Sequence, residues 1–303
     1  MQRPAKPFTP VRFRIQPPSI MKVGIIGYGF VGEALNQGLT GDIAVKKIDP
    51  KLGTNINDLK DFKPDIIFIC VPTPMNEDGT QDISIIKEII NDLKNNHLSS
   101  LIILKSTILP VYINDIKDFL PSIVYNPEFL REKHALNDFI NSELIVFGGD
   151  EDACLRASEF YSKYTKCINK NYIFTDVIAA SLIKYTINSF LATKVIFFNE
   201  INQVFKSSGT SEDWENFISA LSFDNRIGSS HMMVPGHDRR HGFGGACLPK
   251  DSNALLEYAK ILGVNLSLIK TMINTNNKIR ASYNTRTERE IEQNISFTVI
   301  DEE

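Results

Sequence analysis

Near its start the chain reads as a β-rich run, a glycine turn and a helical pattern. The turn, Gly27-Tyr28-Gly29-Phe30-Val31-Gly32, has the spacing G-x-G-x-x-G. Six residues of this kind are a weak signal alone, and a ligand-free glycine turn is the alternative reading. Context makes them constraining, because a second β-rich run ends in Asp49, about 20 residues beyond Gly27. Gly27 then makes the tight turn, Gly29 lets a pyrophosphate approach, and Gly32 lets the helix pack closely on the strand. The pyrophosphate rests on the helix N-terminus. Asp49 accepts hydrogen bonds from the adenosine ribose and repels a 2′-phosphate, so NAD is expected rather than NADP.

The rest of the first half fits that beginning. Candidate strands at 22–26, 43–49, 65–71, 101–106, 122–125 and 143–147 are rich in Ile and Val with little polar alternation, as strands buried on both faces should be. Helical patterns lie between several of them, notably 83–95 behind the capping Asp82. The predicted fold class is α/β, a Rossmann-type doubly wound parallel sheet over 21–175. An all-α domain with a long helix is expected over 176–281. The long helix is 176–207, which lacks Gly and Pro and carries Ile178, Leu182, Ile183, Ile187, Leu191, Val195, Phe198 and Ile201 at helical spacing. Further helices are expected at 211–221, 249–261 and 266–280. Residues 282–303 read as a charged tail, with a possible short strand at 295–300. Residues 1–20 hold five prolines, the bases Arg3, Lys6, Arg12 and Arg14, and no acid, which reads as a disordered extension.

Composition narrows the function classes. A net charge of −3 points to no nucleic-acid partner. No apolar run reaches membrane-spanning length. The four cysteines, Cys70, Cys154, Cys167 and Cys247, form no C-x-x-C pair, which suits a reducing cytoplasm. His231, His237 and His241 cluster loosely without a second ligand group, so no metal is expected.

The second chemical feature is Gly242-Phe243-Gly244-Gly245-Ala246-Cys247-Leu248-Pro249-Lys250-Asp251. Pro249 suits a first helical turn. Cys247 would sit at the helix N-terminus with Lys250 nearby, and both favour the thiolate. Asp251 shares its helix face, four residues on. A buried structural cysteine is the bland alternative. Two other segments carry polar groups: Asn126-Pro127-Glu128-Phe129-Leu130-Arg131-Glu132, where a helix would put Glu128 and Glu132 on one face, and the long helix, where Lys184 and Asn188 lie four apart. Paired carboxylates can order water, and a lysine with an amide can hold developing negative charge on oxygen. Val71-Pro72-Thr73-Pro74 and Ser106-Thr107 follow strands at the carboxyl edge of the sheet, where ligands bind in such folds.

These motifs, in this order, resemble the UDP-glucose dehydrogenases among the UDP-glucose/GDP-mannose dehydrogenase family, from about residue 21 to 280. The resemblance implies oxidation of a nucleotide-sugar alcohol to the carboxylate with two NAD and a covalent cysteine intermediate. It implies Cys247 as the nucleophile, Glu132 and Asp251 as the groups that help water release the acid, and Lys184, Asn188 and Thr107 around the oxygen. Cofactor contacts would come from Gly27, Tyr28, Gly29, Phe30, Val31, Gly32, Asp49, Val71, Pro72, Thr73, Pro74, Ser106, Thr107, Glu132 and Lys250. Substrate contacts would come from Glu128, Phe129, Leu130, Lys184, Asn188, Phe243, Gly244 and Gly245. Arg226 matches an arginine that reaches a neighbouring subunit's substrate, which implies a homodimer built on the long helix. Family members usually carry a third α/β domain that clamps the nucleotide; this chain ends soon after the helix leading into it, so that wall is expected to be missing. The alternatives are a GDP-mannose or UDP-N-acetylhexosamine dehydrogenase, a two-domain β-hydroxyacid dehydrogenase, which needs no nucleophilic cysteine, and a non-catalytic NAD-binding scaffold.

Overall fold

Seven strands form one sheet in the order β2-β1-β3-β4-β5-β6-β7. The computed structural model describes residues 20–119 and 123–300. The Pro-rich segment 1–19, the expected start of the fifth strand at Ser122, and 301–303 lie outside the described residues. In chain order the strands and α-helices are β1 (Met21–Ile26), α1 (Phe30–Gln37), β2 (Ile43–Ile48), α2 (Asp58–Phe62), β3 (Ile66–Ile69), α3 (Ser84–Asn95), β4 (Leu101–Leu104), α4 (Pro110–Phe119), β5 (Ile123–Tyr125), α5 (Ala135–Ile140), β6 (Ile145–Gly149), α6 (Glu151–Tyr164), β7 (Tyr172–Thr175), α7 (Val177–Ser207), α8 (Trp214–Ser222), α9 (Leu248–Ile261), α10 (Ser267–Arg280) and α11 (Glu288–Glu292).

Side-chain alternation along the strands builds two cores from one sheet. Ile67 and Ile69 of β3 and Ile102 and Leu104 of β4 face a layer containing Leu59, Ile86, Ile90, Leu93, Ile113 and Ile116. Ile66, Phe68, Leu101 and Ile103 face the opposite layer, with Leu35, Phe139, Ala157, Phe160 and Tyr161. Each buried side chain of this kind contributes about 1.5–3 kcal/mol relative to exposure, so runs apolar on both faces are stable only when sandwiched between helices.

Three details depart from the sequence reading. The sheet is mostly rather than wholly parallel, because β5 and β6 pair antiparallel through Val124–Gly149 and Tyr125–Gly148. The edge strand β7 had no expected counterpart; it is four residues long and leaves Ile173 and Phe174 half-exposed, so its pattern is not that of a core strand. Residues 295–300 form no strand. They lie along α10 instead, where the Asn274 side chain donates to Ile300 O at 2.9 Å and accepts from Ile300 N at 2.8 Å.

α7 runs for 31 residues and is capped by Asp176, which accepts from Ala179 N at 2.8 Å. Its first turns pack on the sheet through Val177 and Ala180. Further along, Ala192 and Ile196 join Phe243, Leu256, Met272 and Ile273 in a separate core, and Phe198 joins Ile218, Met232 and Val234 in another. One helix thus belongs to the sheet at one end and to the helical layer at the other. Segment 282–300 is no loose tail. It folds back over both parts, with α11 opened by a capping box between Thr287 and Glu290 and with Met75 N donating to Gln293 O at 3.1 Å. No helix among the described residues is long and apolar enough to cross a membrane.

Candidate active site

The carboxyl edge of the sheet carries two facing constellations. At one, β1 runs into the turn of Gly27, Tyr28 and Gly29, and α1 begins at Phe30. A Cβ on Gly32 would lie 2.2 Å from Gly27 O, whereas a Cβ on Gly29 meets nothing within 4 Å. Gly32 is therefore demanded by its close approach to Gly27, and Gly29 leaves open space over the helix N-terminus. No side chain caps α1, so its first-turn N–H groups are free for an anion. Asp49, just past β2, turns its carboxylate to this turn and accepts from Tyr28 N at 2.7 Å. These residues fit a dinucleotide, with room for a pyrophosphate at Gly29, Phe30 and Val31 and a ribose acceptor at Asp49.

The loops after β3 and β4 are tied to each other. Ser106 Oγ donates to Val71 O at 2.7 Å, and Thr73 Oγ1 donates to Thr107 O at 2.8 Å. Pro72 and Pro74 flank Thr73 and carry the chain out of the sheet. Gln81, which the sequence reading missed, adds a donor to Thr107 O at 2.7 Å and accepts from Leu109 N at 3.0 Å. Nothing in the local pattern distinguishes this buried glutamine from an exposed loop residue.

The second constellation gathers groups from β5's end, α7 and α9. Lys184 on α7 is buried and donates to Glu128 O at 2.6 Å, with Glu128 Oε1 at 3.4 Å and the Phe129 ring beneath its ammonium. Asn188, one turn on, donates to Asp251 Oδ2 at 2.6 Å. Asp251 is buried and also pairs with Lys250. Cys247 is half-buried and occupies the N-cap position of α9, with Pro249 in the first turn. Phe243 is clamped by Asn276, which accepts from Phe243 N at 2.7 Å and donates to Phe243 O at 3.0 Å.

Electrostatics here reverse one expectation. Burial pushes the Cys247 thiol up to about 11, and Glu128 and Asp251 add to this against Lys184 and Lys250. The cations favour the thiolate, as the sequence suggested, but desolvation and two carboxylates outweigh them. Burial alone would lower Lys184, yet Glu128, Cys247 and Asp251 hold its pKa above the ordinary value. The site thus joins a neutral thiol to a fixed ammonium and two carboxyl groups.

Two expected residues are elsewhere. The segment after Pro127 is not an α-helix, and Glu128 folds back to accept from Leu130 N at 2.6 Å. Glu132 therefore does not share its face. It is exposed and pairs with Arg289 of α11 at 3.0 Å, and Arg289 in turn lies over Phe30 at the mouth of the glycine turn. Arg226 is exposed, held by Asp224, and not brought to the site within one chain.

Comparison with known proteins fits this arrangement. Residues 50–165 match the NAD-binding domain of the UDP-glucose/GDP-mannose dehydrogenase family, and 178–278 match its central domain. The chain belongs to that family. A UDP-glucose 6-dehydrogenase of Bacillus subtilis is 34% identical over 229 residues, 72% of this chain and 49% of the relative. The chain spans about half the length of the curated family relatives it matches. The fold is shared with a UDP-glucose dehydrogenase from Pyrobaculum islandicum, with a TM-score of 0.69 at 24% identity, covering 87% of this chain and 70% of that one. It is also shared with a 3-hydroxyisobutyrate dehydrogenase of Mycobacterium tuberculosis, with a TM-score of 0.65 at 16% identity, covering 92% and 97%.

The two glycines make separable predictions. Gly29→Ala should keep the melting temperature and weaken NAD binding by about tenfold or more, since tenfold is roughly 1.4 kcal/mol. Gly32→Ala should instead cost roughly 1–3 kcal/mol of stability through overpacking. Calorimetric NAD titration and thermal melts check both; normal NAD binding by Gly29→Ala would remove the pyrophosphate from this turn.

Proposed function

We propose that the chain oxidises the C6 alcohol of a nucleotide sugar, UDP-glucose to UDP-glucuronate, through a thiohemiacetal and a thioester on Cys247. The observation that carries this reading is the convergence of Lys184, Asn188, Asp251 and Glu128 around Cys247. A single alcohol-to-carbonyl oxidation has no use for a thiol at that position, which weighs against a β-hydroxyacid dehydrogenase despite the common fold.

NAD, when bound on the glycine turn, supplies the hydride acceptor for both oxidations. The chain's own groups do the rest. Lys184 and Asn188 hold the substrate oxygen as its alcohol proton passes to water and charge develops. The aldehyde carbon then takes the Cys247 sulfur. The thiol proton passes to the aldehyde oxygen, so the adduct is a neutral thiohemiacetal. Because the resting thiol is protonated, no thiolate need be stored before substrate arrives. Loss of a second hydride from carbon, and of the hydroxyl proton to water, leaves the thioester. Water attacks that carbonyl, the sulfur leaves with a proton, and the acid is released. Asp251, buried beside Asn188 and Lys250, takes the water's proton. Glu128, which borders Lys184, is the second carboxyl group at the site and takes the water-ordering part first assigned to Glu132. Thr107, tied to Thr73 and Gln81, and Phe243, Gly244 and Gly245 border the sugar.

A homodimer through α7 is part of the same reading. Phe190, Phe197 and Val204 recur every seven residues and are 61%, 54% and 65% exposed, an apolar stripe along one face of the helix. Arg226 would then serve the neighbouring subunit's substrate. Four free thiols suit a reducing cytoplasm.

Purified protein offered a panel of nucleotide sugars with NAD should release two NADH for each UDP-glucose consumed. Cys247→Ser should stall before acid is released. One NADH for each sugar, or a wild-type acid yield from the serine variant, would sink the four-electron route. Turnover only with GDP-mannose or a UDP-N-acetylhexosamine would move the substrate assignment. Phe197→Asp should shift the sedimenting species from dimer to monomer; an unchanged mass would exclude α7 as the interface.

A further inference from the structure

The turn carrying Cys247 is held from outside by a group that the reaction does not use. Glu290 is fully buried in α11, ten residues beyond Arg280 at the end of α10. Its Oε1 accepts from Arg280 Nη2 at 2.7 Å and from Gly245 N at 3.1 Å, and its Oε2 accepts from Thr287 N at 2.7 Å. Arg280 Nη1 donates to Asp238 Oδ2 at 2.7 Å. The guanidinium lies near the rings of Tyr283 and Phe297. A Cβ on Gly244 would lie 2.0 Å from Arg280 Nη2 and 2.3 Å from Glu290 Oε1, so the glycine turn and the ion pair are fitted to each other.

A buried ion pair contributes little net stability over a well-packed apolar pair. What an apolar pair cannot do is accept the Gly245 N–H, two residues before Cys247. The rest of the turn is held by Asn199, which accepts from Gly242 N at 3.0 Å, and by Asn276 at Phe243. Of the three anchors, Glu290 holds the turn residue nearest to the cysteine, Gly245. Burial would push its carboxyl up, but hydrogen bonds from Thr287 and Gly245 and the Arg280 guanidinium hold it below the ordinary value, so it stays an anion for Arg280 and an acceptor for Gly245.

We propose that Glu290, fixed by Arg280, is a positioning residue for Cys247, holding the glycine turn so that the thiol stays shielded against Glu128, Lys184, Lys250 and Asp251. It acts through the turn and touches neither substrate nor cofactor. The proposal rests on the reading of Cys247 as nucleophile for its purpose, but its geometry is testable without turnover.

The test is the pH dependence of iodoacetamide alkylation at Cys247, followed by peptide mass in the full chain with no NAD or sugar present. In the wild type the rate should climb about tenfold per pH unit from 7 to 10 without levelling, as a thiol near 11 requires. In Glu290→Gln the turn loosens, the profile should bend toward the ordinary thiol range near ~8.5, and alkylation at pH 8 should rise about tenfold. Cys70, Cys154 and Cys167 are internal controls and should keep their wild-type rates. Thr287→Ala, which removes a cap and leaves the buried pair in place, should shift the profile the same way by less, and it carries the test should the glutamine variant fail to fold. An unmoved Cys247 profile in the folded variants, or equal acceleration of all four thiols, would overturn the proposal. Absence of turnover in the wild type would instead count against the proposed reaction and leave this result standing.

Discussion

The ammonium of Lys184 against the carbonyl and carboxylate of Glu128 is the contact on which the site depends. Burying a lone ammonium costs several kcal/mol, and here the cost is offset by a 2.6 Å bond to Glu128 O, the nearby carboxylate and the Phe129 ring. The contact joins α7 to the segment leaving β5. It therefore fixes the helical layer against the carboxyl edge of the sheet. Asn188 extends the same helix face to Asp251, which brings α9 and its cysteine into register.

Cysteine chemistry in this setting differs from that of a pre-formed thiolate. A thiol held up near 11 by burial and two carboxylates is poorly reactive toward stray electrophiles. In the proposed reaction it would become nucleophilic as its proton finds a partner, and an aldehyde oxygen beside Lys184 would be such a partner. Under that proposal the shielding would favour reaction with an aldehyde made in place. α11 reaches the glycine turn through Glu290 and the mouth of the cofactor turn through Arg289, which lies over Phe30 and pairs with Glu132.

Much of this was legible in the sequence because it follows from local rules. G-x-G-x-x-G before a helix, Ile/Val runs for buried strands and a helix free of Gly and Pro from 177 to 207 each depend on neighbours in the chain. Lys184 with Asn188, and Cys247 with Asp251, were visible because four residues make one helical turn. The errors have the opposite origin. Glu132 was grouped with Glu128 on an assumed helix, but Glu128 bonds back to Leu130 N and the chain turns away. The thiol's direction was misjudged because adjacent cations are visible in sequence while desolvation is not. Gln81, Asn276, Arg280 and Glu290 went unseen, since each acts on a partner far along the chain, and segment 282–300 looked like a tail because its buried acid is surrounded by exposed charges.

The central claim is that Cys247 forms a covalent acyl link to the oxidised sugar. Its most direct test is intact-protein and peptide mass spectrometry on enzyme acid-quenched during turnover with UDP-glucose and NAD. The account predicts a UDP-glucuronyl adduct on the peptide containing Cys247, appearing with turnover and lost as acid is released. Full turnover to UDP-glucuronate with no adduct at any quench time, or with an adduct confined to another residue, would contradict it.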